Sequence, residues 1–289
     1  MRTPPRVMPA LITPFDKRGD IDLTAHRHNL AALAGHGIEG FLIAGSTGEG
    51  STIEPGERAT LLTELWATLG AKPFAMVGIW AESVRMALTQ VGESADAGAD
   101  AVLVVTPTTF ARRTTAAQEA YFTAVADASP IPVLLYSVPP NAGYALAEDV
   151  TSRLAIHPNI VGMKDSGGDA VRIQRILTAA PEDFILFNGA TASLSLAMAA
   201  GAYGAITASA NYMPRPILEM VATARRSTAK SLALQGRLTA VSSVVESPGI
   251  PGVKAAASGA GLQAGLPRAP LAAVDRKTAT RVLEAAGRI

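Results

Sequence analysis

Short apolar runs rich in β-branched residues recur along the chain, separated by stretches long enough for a helix. They begin near Val7 (VMPALITPF), Gly40 (GFLIAGSTGE), Phe74 (FAMVGIW), Ala101 (AVLVVTP), Pro132 (PVLLYSVP), Ile160 (IVGMKDS), Phe184 (FILFNGA) and Gly204 (GAITASAN). Runs apolar on both faces suit a parallel sheet covered by helices, and their alternation with helical segments suits βα units. Eight such units predict a closed (β/α)8 barrel, in preference to an open sheet. The intervening stretches carry helical periodicity. Glu57 to Leu69 places Leu61, Leu62, Leu65 and Leu69 on one face, and Ser83 to Ala97 and Asp169 to Ala180 read the same way. From Pro216 to Ile289 the chain is mostly alanine- and leucine-rich helix, with one irregular interruption at 246–252 (ESPGIPG). We therefore expect residues 1–215 to form the barrel and 216–289 to pack on it as a helical appendage without an independent domain boundary.

Composition narrows the classes. Hydrophobic residues make up 48% of the 289 and charged residues 17%, so a large core is expected and disorder is not. The net charge of +1 leaves no electrostatic footprint for nucleic acid or an anionic membrane. No apolar run approaches the roughly 18 residues needed to span a bilayer. Residues 1–6 (MRTPPR) are broken by prolines before a signal-like stretch could form. Cysteine is absent, which excludes disulfides, thiolate catalysis and cysteine metal sites. A cytoplasmic protein with neither nucleic acid nor membrane as partner is the expectation. His26 and His28 fall on the expected polar side of an early helix, and His36 near its end, before Gly37, where it can cap carbonyls. With His157 these are the four histidines; none has the spacing of a zinc helix motif, so no metal and no cofactor are expected.

In a barrel of this kind the chemistry lies at the C-terminal ends of the strands. The second run ends in Gly45-Ser-Thr-Gly-Glu49, where glycines let the backbone approach an anion and the hydroxyls of Ser46 and Thr47 can bind a carboxylate. A plain βα turn with a helix cap is the alternative. The fifth ends in Tyr136-Ser-Val-Pro-Pro-Asn-Ala-Gly143, offering a phenol for proton transfer or a core filler. The sixth carries Lys164 in Asn159-Ile-Val-Gly-Met-Lys-Asp-Ser-Gly-Gly-Asp169. A lysine emerging from an apolar strand can serve as a neutral amine that attacks a ketone, or it can snorkel to water. Gly189, after the seventh run, and the backbone near Ile206, in the eighth, could line the same mouth or serve barrel packing.

Taken together, the order of carboxylate-binding loop, strand-end tyrosine and strand-end lysine resembles the dihydrodipicolinate synthase / N-acetylneuraminate lyase superfamily. The resemblance runs from PALITPF through GSTGE, YSVPPNAG and GMKDSGGD into the helical tail. Its closest branch is the 4-hydroxy-2-oxoglutarate aldolases, on SPIPVLLYSVPPNAG, HPNIVGMKDSGGDAVRI, GIPGVK and PRAPL. The resemblance implies class I chemistry on pyruvate: Lys164 forms a Schiff base with the 2-keto carbon, Tyr136 shuttles protons, and Ser46 and Thr47 hold the carboxylate. It further implies a 2-keto acid and an aldehyde as the small-molecule partners, no cofactor, and a homotetramer built as a dimer of dimers.

The departures matter equally. The family's relay tyrosine, reaching across a subunit interface, falls at Thr109, a shorter and far less acidic hydroxyl, with Phe110 beside it and Arg112 and Arg113 following. Tyr144 is a candidate substitute. The arginine that binds a second carboxylate in dihydrodipicolinate synthases falls at Asn141, and an amide cannot form an ionic clamp. The polyol-binding places of sialic acid lyases read Ala190-Thr191 and Ala208. We therefore expect a Schiff-base lyase of a short 4-hydroxy-2-oxo acid. Its rivals are a Schiff-base dehydratase or hydratase of a 2-keto-3-deoxy acid, and a non-catalytic keto-acid binder.

Overall fold

The computed structural model describes residues 2–70 and 73–289. The described strands are β1 (Val7–Pro9), β2 (Gly40–Ile43), β3 (Phe74–Ile79), β4 (Ala101–Val105), β5 (Val133–Ser137), β6 (Ile160–Asp165), β7 (Ile185–Asn188) and β8 (Gly204–Thr207). Each pairs in parallel with its neighbours, in the order β1-β8-β7-β6-β5-β4-β3-β2. The ring closes where Ala10 bridges Leu42 and the Leu11 N–H donates to the Leu42 carbonyl at 2.9 Å. This is the (β/α)8 barrel that the eight apolar runs predict.

Alternate side chains of each strand go to two cores, as period-2 geometry requires. Met76, Leu103, Leu134, Tyr136, Phe187 and Ile206 fill the interior. Val77, Val104, Leu135, Met163 and Leu186 pack outward against the helices. Those helices are α1 (Leu23–Gly35), α2 (Glu57–Leu69), α3 (Val84–Asp96), α4 (Thr115–Ala128), α5 (Pro139–Ala142), α6 (Glu148–Leu154), α7 (Ala170–Ala179) and α8 (Leu194–Ala199). Asp22, Ser83, Thr114 and Asp169 cap α1, α3, α4 and α7 by accepting backbone N–H groups of the first turn.

The C-terminal part holds α9 (Pro214–Ala224), α10 (Thr228–Val245), α11 (Ile250–Gly259) and α12 (Arg276–Ala286). It differs from the expectation in one respect: a second irregular stretch, 260–275, separates α11 from α12. Its alanines favour helix, but tertiary pairing wins. The Leu266 N–H donates to the Phe15 carbonyl at 2.8 Å, which brings the chain back against the end of the first strand's loop. Gly265 sits there at φ 62°, and a Cβ on it would stand 2.7 Å from the Phe15 backbone.

A second correction concerns His26. It is not on a polar side: it is 1% exposed, its Nε2 lies 3.2 Å from the Leu61 carbonyl, and α2 covers it. Its neighbour His28 is exposed, with Nε2 2.9 Å from the Gly261 carbonyl, and His36 is the C-cap of α1. Among the described residues no helix is long and apolar enough to cross a membrane.

Candidate active site

The register of the sheet brings the site together. Pairing of β5 with β6 sets Tyr136 opposite Lys164, and pairing of β6 with β7 sets Lys164 opposite Phe187. All three point into the barrel. Lys164 is 3% exposed and Tyr136 2%. The Lys164 Nζ donates to the Tyr136 hydroxyl at 3.3 Å and stands 4.5 Å from the ring centroid. A primary amine is thus buried with a phenol as its hydrogen-bond partner, and the buried Glu246 carboxylate is near enough to interact with its charge. The next residue, Asp165, turns to the outer face, where it is fully buried. Its Oδ2 accepts from Arg172 Nε at 2.9 Å, and its Oδ1 from the Gly167 N–H at 2.8 Å. Those bonds anchor the strand end directly after the lysine.

The loop after β2 carries Ser46 and Thr47. The Glu49 N–H donates to the Ser46 carbonyl, the Gly50 N–H to the Gly45 carbonyl, and the Thr13 hydroxyl to the Gly48 carbonyl at 2.8 Å. Ala44 and Glu49 bracket this turn with φ of 52° and 57°, in the left-handed region that side chains with a Cβ rarely adopt. Asn141 Nδ2 donates to Ser46 Oγ at 3.1 Å, joining this loop to the one after β5. Trp80, at the end of β3, completes the link. Its indole N–H donates to the Ala44 carbonyl at 3.0 Å, and its ring meets Tyr136 edge-on at 6.3 Å.

Gly189 has to be glycine. A Cβ there would lie 2.8 Å from Lys164 Cε and 2.1 Å from Ser166 Oγ. Ile206 is fully buried in the same inner core as Tyr136. Lys164, Tyr136, Ser46, Thr47, Asn141, Gly189 and Ile206 therefore cluster at one end of the barrel. Thr109 stands apart from them: it is exposed, and its backbone N–H donates to Glu82 Oε2 at 2.9 Å. Arg112 and Arg113 are exposed on the same turn. Tyr144 packs against the inner core but gives its hydroxyl proton to the Pro107 carbonyl at 2.6 Å. Burial raises its pKa, and the Glu82 carboxylate adds to that shift. Neither Trp80 nor the Asp165–Arg172 pair is among the residues that the sequence singles out. Trp80 was findable by the rule that polar tips at strand ends face the mouth; the Asp165–Arg172 contact has no local signal.

The profile of the dihydrodipicolinate synthetase family matches residues 3–287. The chain belongs to that family. It is 33% identical to the 4-hydroxy-tetrahydrodipicolinate synthase of Methanospirillum hungatei, across 98% of this chain and 98% of the relative. Among solved structures, a dihydrodipicolinate synthase from Bacillus anthracis superposes with a TM-score of 0.92 at 25% identity, over 100% of this chain and 99% of that one. The chloride-inhibited dihydrodipicolinate synthase of Acinetobacter baumannii, solved in complex with pyruvate, gives 0.91 at 28% identity over 99% and 100%. Family membership makes this protein a carbon–carbon lyase of the class I, pyruvate-dependent kind.

Proposed function

We propose that the protein cleaves a short 4-hydroxy-2-oxo acid to pyruvate and an aldehyde, or joins the two, with 4-hydroxy-2-oxoglutarate as the leading substrate. The observation that carries this reading is the buried amine of Lys164 within 3.3 Å of the Tyr136 hydroxyl. In this reading Lys164 attacks the C2 keto carbon. Tyr136 gives its proton to the hydroxyl that leaves as water, and an iminium remains. The C3–C4 bond then breaks, and its electron pair enters the iminium to form an enamine. The C4 hydroxyl proton passes to the Tyr136 phenolate as the aldehyde departs. Protonation at C3 and hydrolysis release pyruvate and restore the amine. Ser46, Thr47 and the amides of their loop hold the C1 carboxylate, while Gly189 leaves room for the lysine arm and Ile206 forms an apolar wall.

Two features support a short substrate. The Thr191 hydroxyl, where sialic acid lyases place polyol-binding groups, is taken up by Ser209 Oγ at 2.7 Å. Asn141, at the place of the second-carboxylate arginine, is engaged with Ser46. Arg112, whose charge acts on the Tyr144 hydroxyl, offers a cation to a distal carboxylate. A second reading is the synthesis of 4-hydroxy-tetrahydrodipicolinate, the activity in the name of the Methanospirillum relative, which 33% identity along nearly the whole chain favours. We also propose a cytoplasmic homotetramer, a dimer of dimers, on the family likeness.

The test supplies 4-hydroxy-2-oxoglutarate and measures pyruvate release with and without chelator, beside Lys164→Ala. Chelator-insensitive release that the substitution abolishes is expected. A keto acid of unchanged carbon count would establish a dehydratase instead. Ligand-induced thermal stabilisation without turnover of any candidate would establish a binder.

A further inference from the structure

The strained turn after β2 and two cations of the C-terminal tail form one device. Ala44 and Glu49 both hold a left-handed φ, and between them lie Gly45 to Gly48. A left-handed residue with a Cβ persists only where its surroundings over-determine it, and such strain gathers at functional sites. Trp80 and Thr13 secure the carbonyls of Ala44 and Gly48. Glu49 is secured by its side chain. Its buried carboxylate pairs with Lys254 Nζ at 2.5 Å and accepts the Arg268 backbone N–H at 2.8 Å.

Both partners come from the far end of the chain, Lys254 from α11 and Arg268 from the stretch after it. Each is itself held. Lys254 donates to the Leu266 carbonyl at 2.6 Å, and the Arg268 guanidinium forks onto Glu57 at 2.6 and 2.8 Å. The ammonium and the guanidinium lie 4.9 and 4.1 Å from the Phe15 ring centroid. Burial pushes the Lys254 pKa down and the Glu49 charge opposes that shift; both side chains are buried. Replacing a buried ion pair with apolar groups of similar size is often neutral for stability. Stability alone therefore leaves this arrangement unexplained.

We propose that Glu49 and Lys254 are positioning residues through which the C-terminal tail holds the turn at 45–48 in the strained shape that receives the substrate's C1 carboxylate. Neither touches the reacting atoms. The inference rests on the reading that Lys164 forms an imine and that Ser46 and Thr47 bind the carboxylate, and it adds that affinity for the 2-keto acid is set from outside the pocket.

The experiment is borohydride trapping of the full-length protein over a range of pyruvate concentrations, read by intact mass. The parent is compared with Glu49→Gln/Lys254→Met, which leaves no lone buried charge. Half-saturating pyruvate is expected to rise about tenfold or more in the variant, because misplacing a binding group by an ångström can cost about a hundredfold. The adduct yield at saturation is expected to stay at the parent level. A variant in which glycine takes the left-handed φ without strain, Glu49→Gly/Lys254→Met, is expected to show a smaller rise than the first, still above the parent, and serves if the first does not fold. Half-saturation unchanged in a folded double variant, on a parent that traps, overturns this inference alone. No adduct on the parent sinks the Lys164 reading and this inference with it.

Discussion

At the scale of single residues, His26 shows what burial does to a titratable group. It packs beneath α2, Nδ1 has no partner, and burial pushes its pKa from 6.5 down to about 4. Because the folded value lies below the unfolded one, the protonated form is the one that folding rejects. The associated stability is complete above pH 6.5 and is lost as pH falls towards 4, amounting to about 3 kcal/mol over that window. Urea unfolding measured at a series of pH values should show this decline. His26→Gln, which keeps a donor for the Leu61 carbonyl, should flatten it; a slope unchanged by the substitution would assign the effect elsewhere. A histidine on an amphipathic stretch looks polar by residue type. Only packing turns it inward.

At the scale of elements, β6 and α7 illustrate how a strand end is made rigid enough for chemistry. Lys164 points into the barrel while Asp165 points out of it, and Arg172 on the first turn of α7 reaches back to meet that carboxylate. Removing one partner of a buried pair leaves an uncompensated charge, so Arg172→Met is expected to cost about 3 kcal/mol. A denaturant midpoint that hardly moves would refute this. Asn at position 165 alongside that substitution should recover much of the loss. The limits of α2, α3 and α7 were legible because caps and periodicity are local signals: Ser83 and Asp169 stand at the N-caps of α3 and α7. The stretch 260–275 departs from the expected helix because its glycines and its pairing with Phe15 outweigh the helix preference of its alanines.

At the scale of the whole molecule, the tail reaches the front of the barrel. Arg268 meets Glu49 across 219 residues of sequence, and Asn29 Nδ2 donates to the Gln263 carbonyl at 2.9 Å. Elsewhere, on the turn after β4, Phe110 is 80% exposed beside Thr109. In the proposed tetramer, a second copy would give that apolar ring a place to bury. Sedimentation should return a mass about four times the chain's 29.7 kDa. A monomer at micromolar concentration would refute the tetramer.

The sequence by itself determined the eight strands, most helices, and the placement of Lys164, Tyr136, Ser46 and Thr47 at strand ends. Each of these follows from a hydrophobic period or a turn residue that acts within a few positions. Only the tertiary structure decided that Nζ and the phenol lie 3.3 Å apart, because that depends on the β5–β6 register and its irregularity at Val133 and Leu134. It also decided that Glu49 is clamped by Lys254 and Arg268. Pairings between groups hundreds of residues apart leave no periodic trace along the chain, since what selects them is the cost of burying a charge alone.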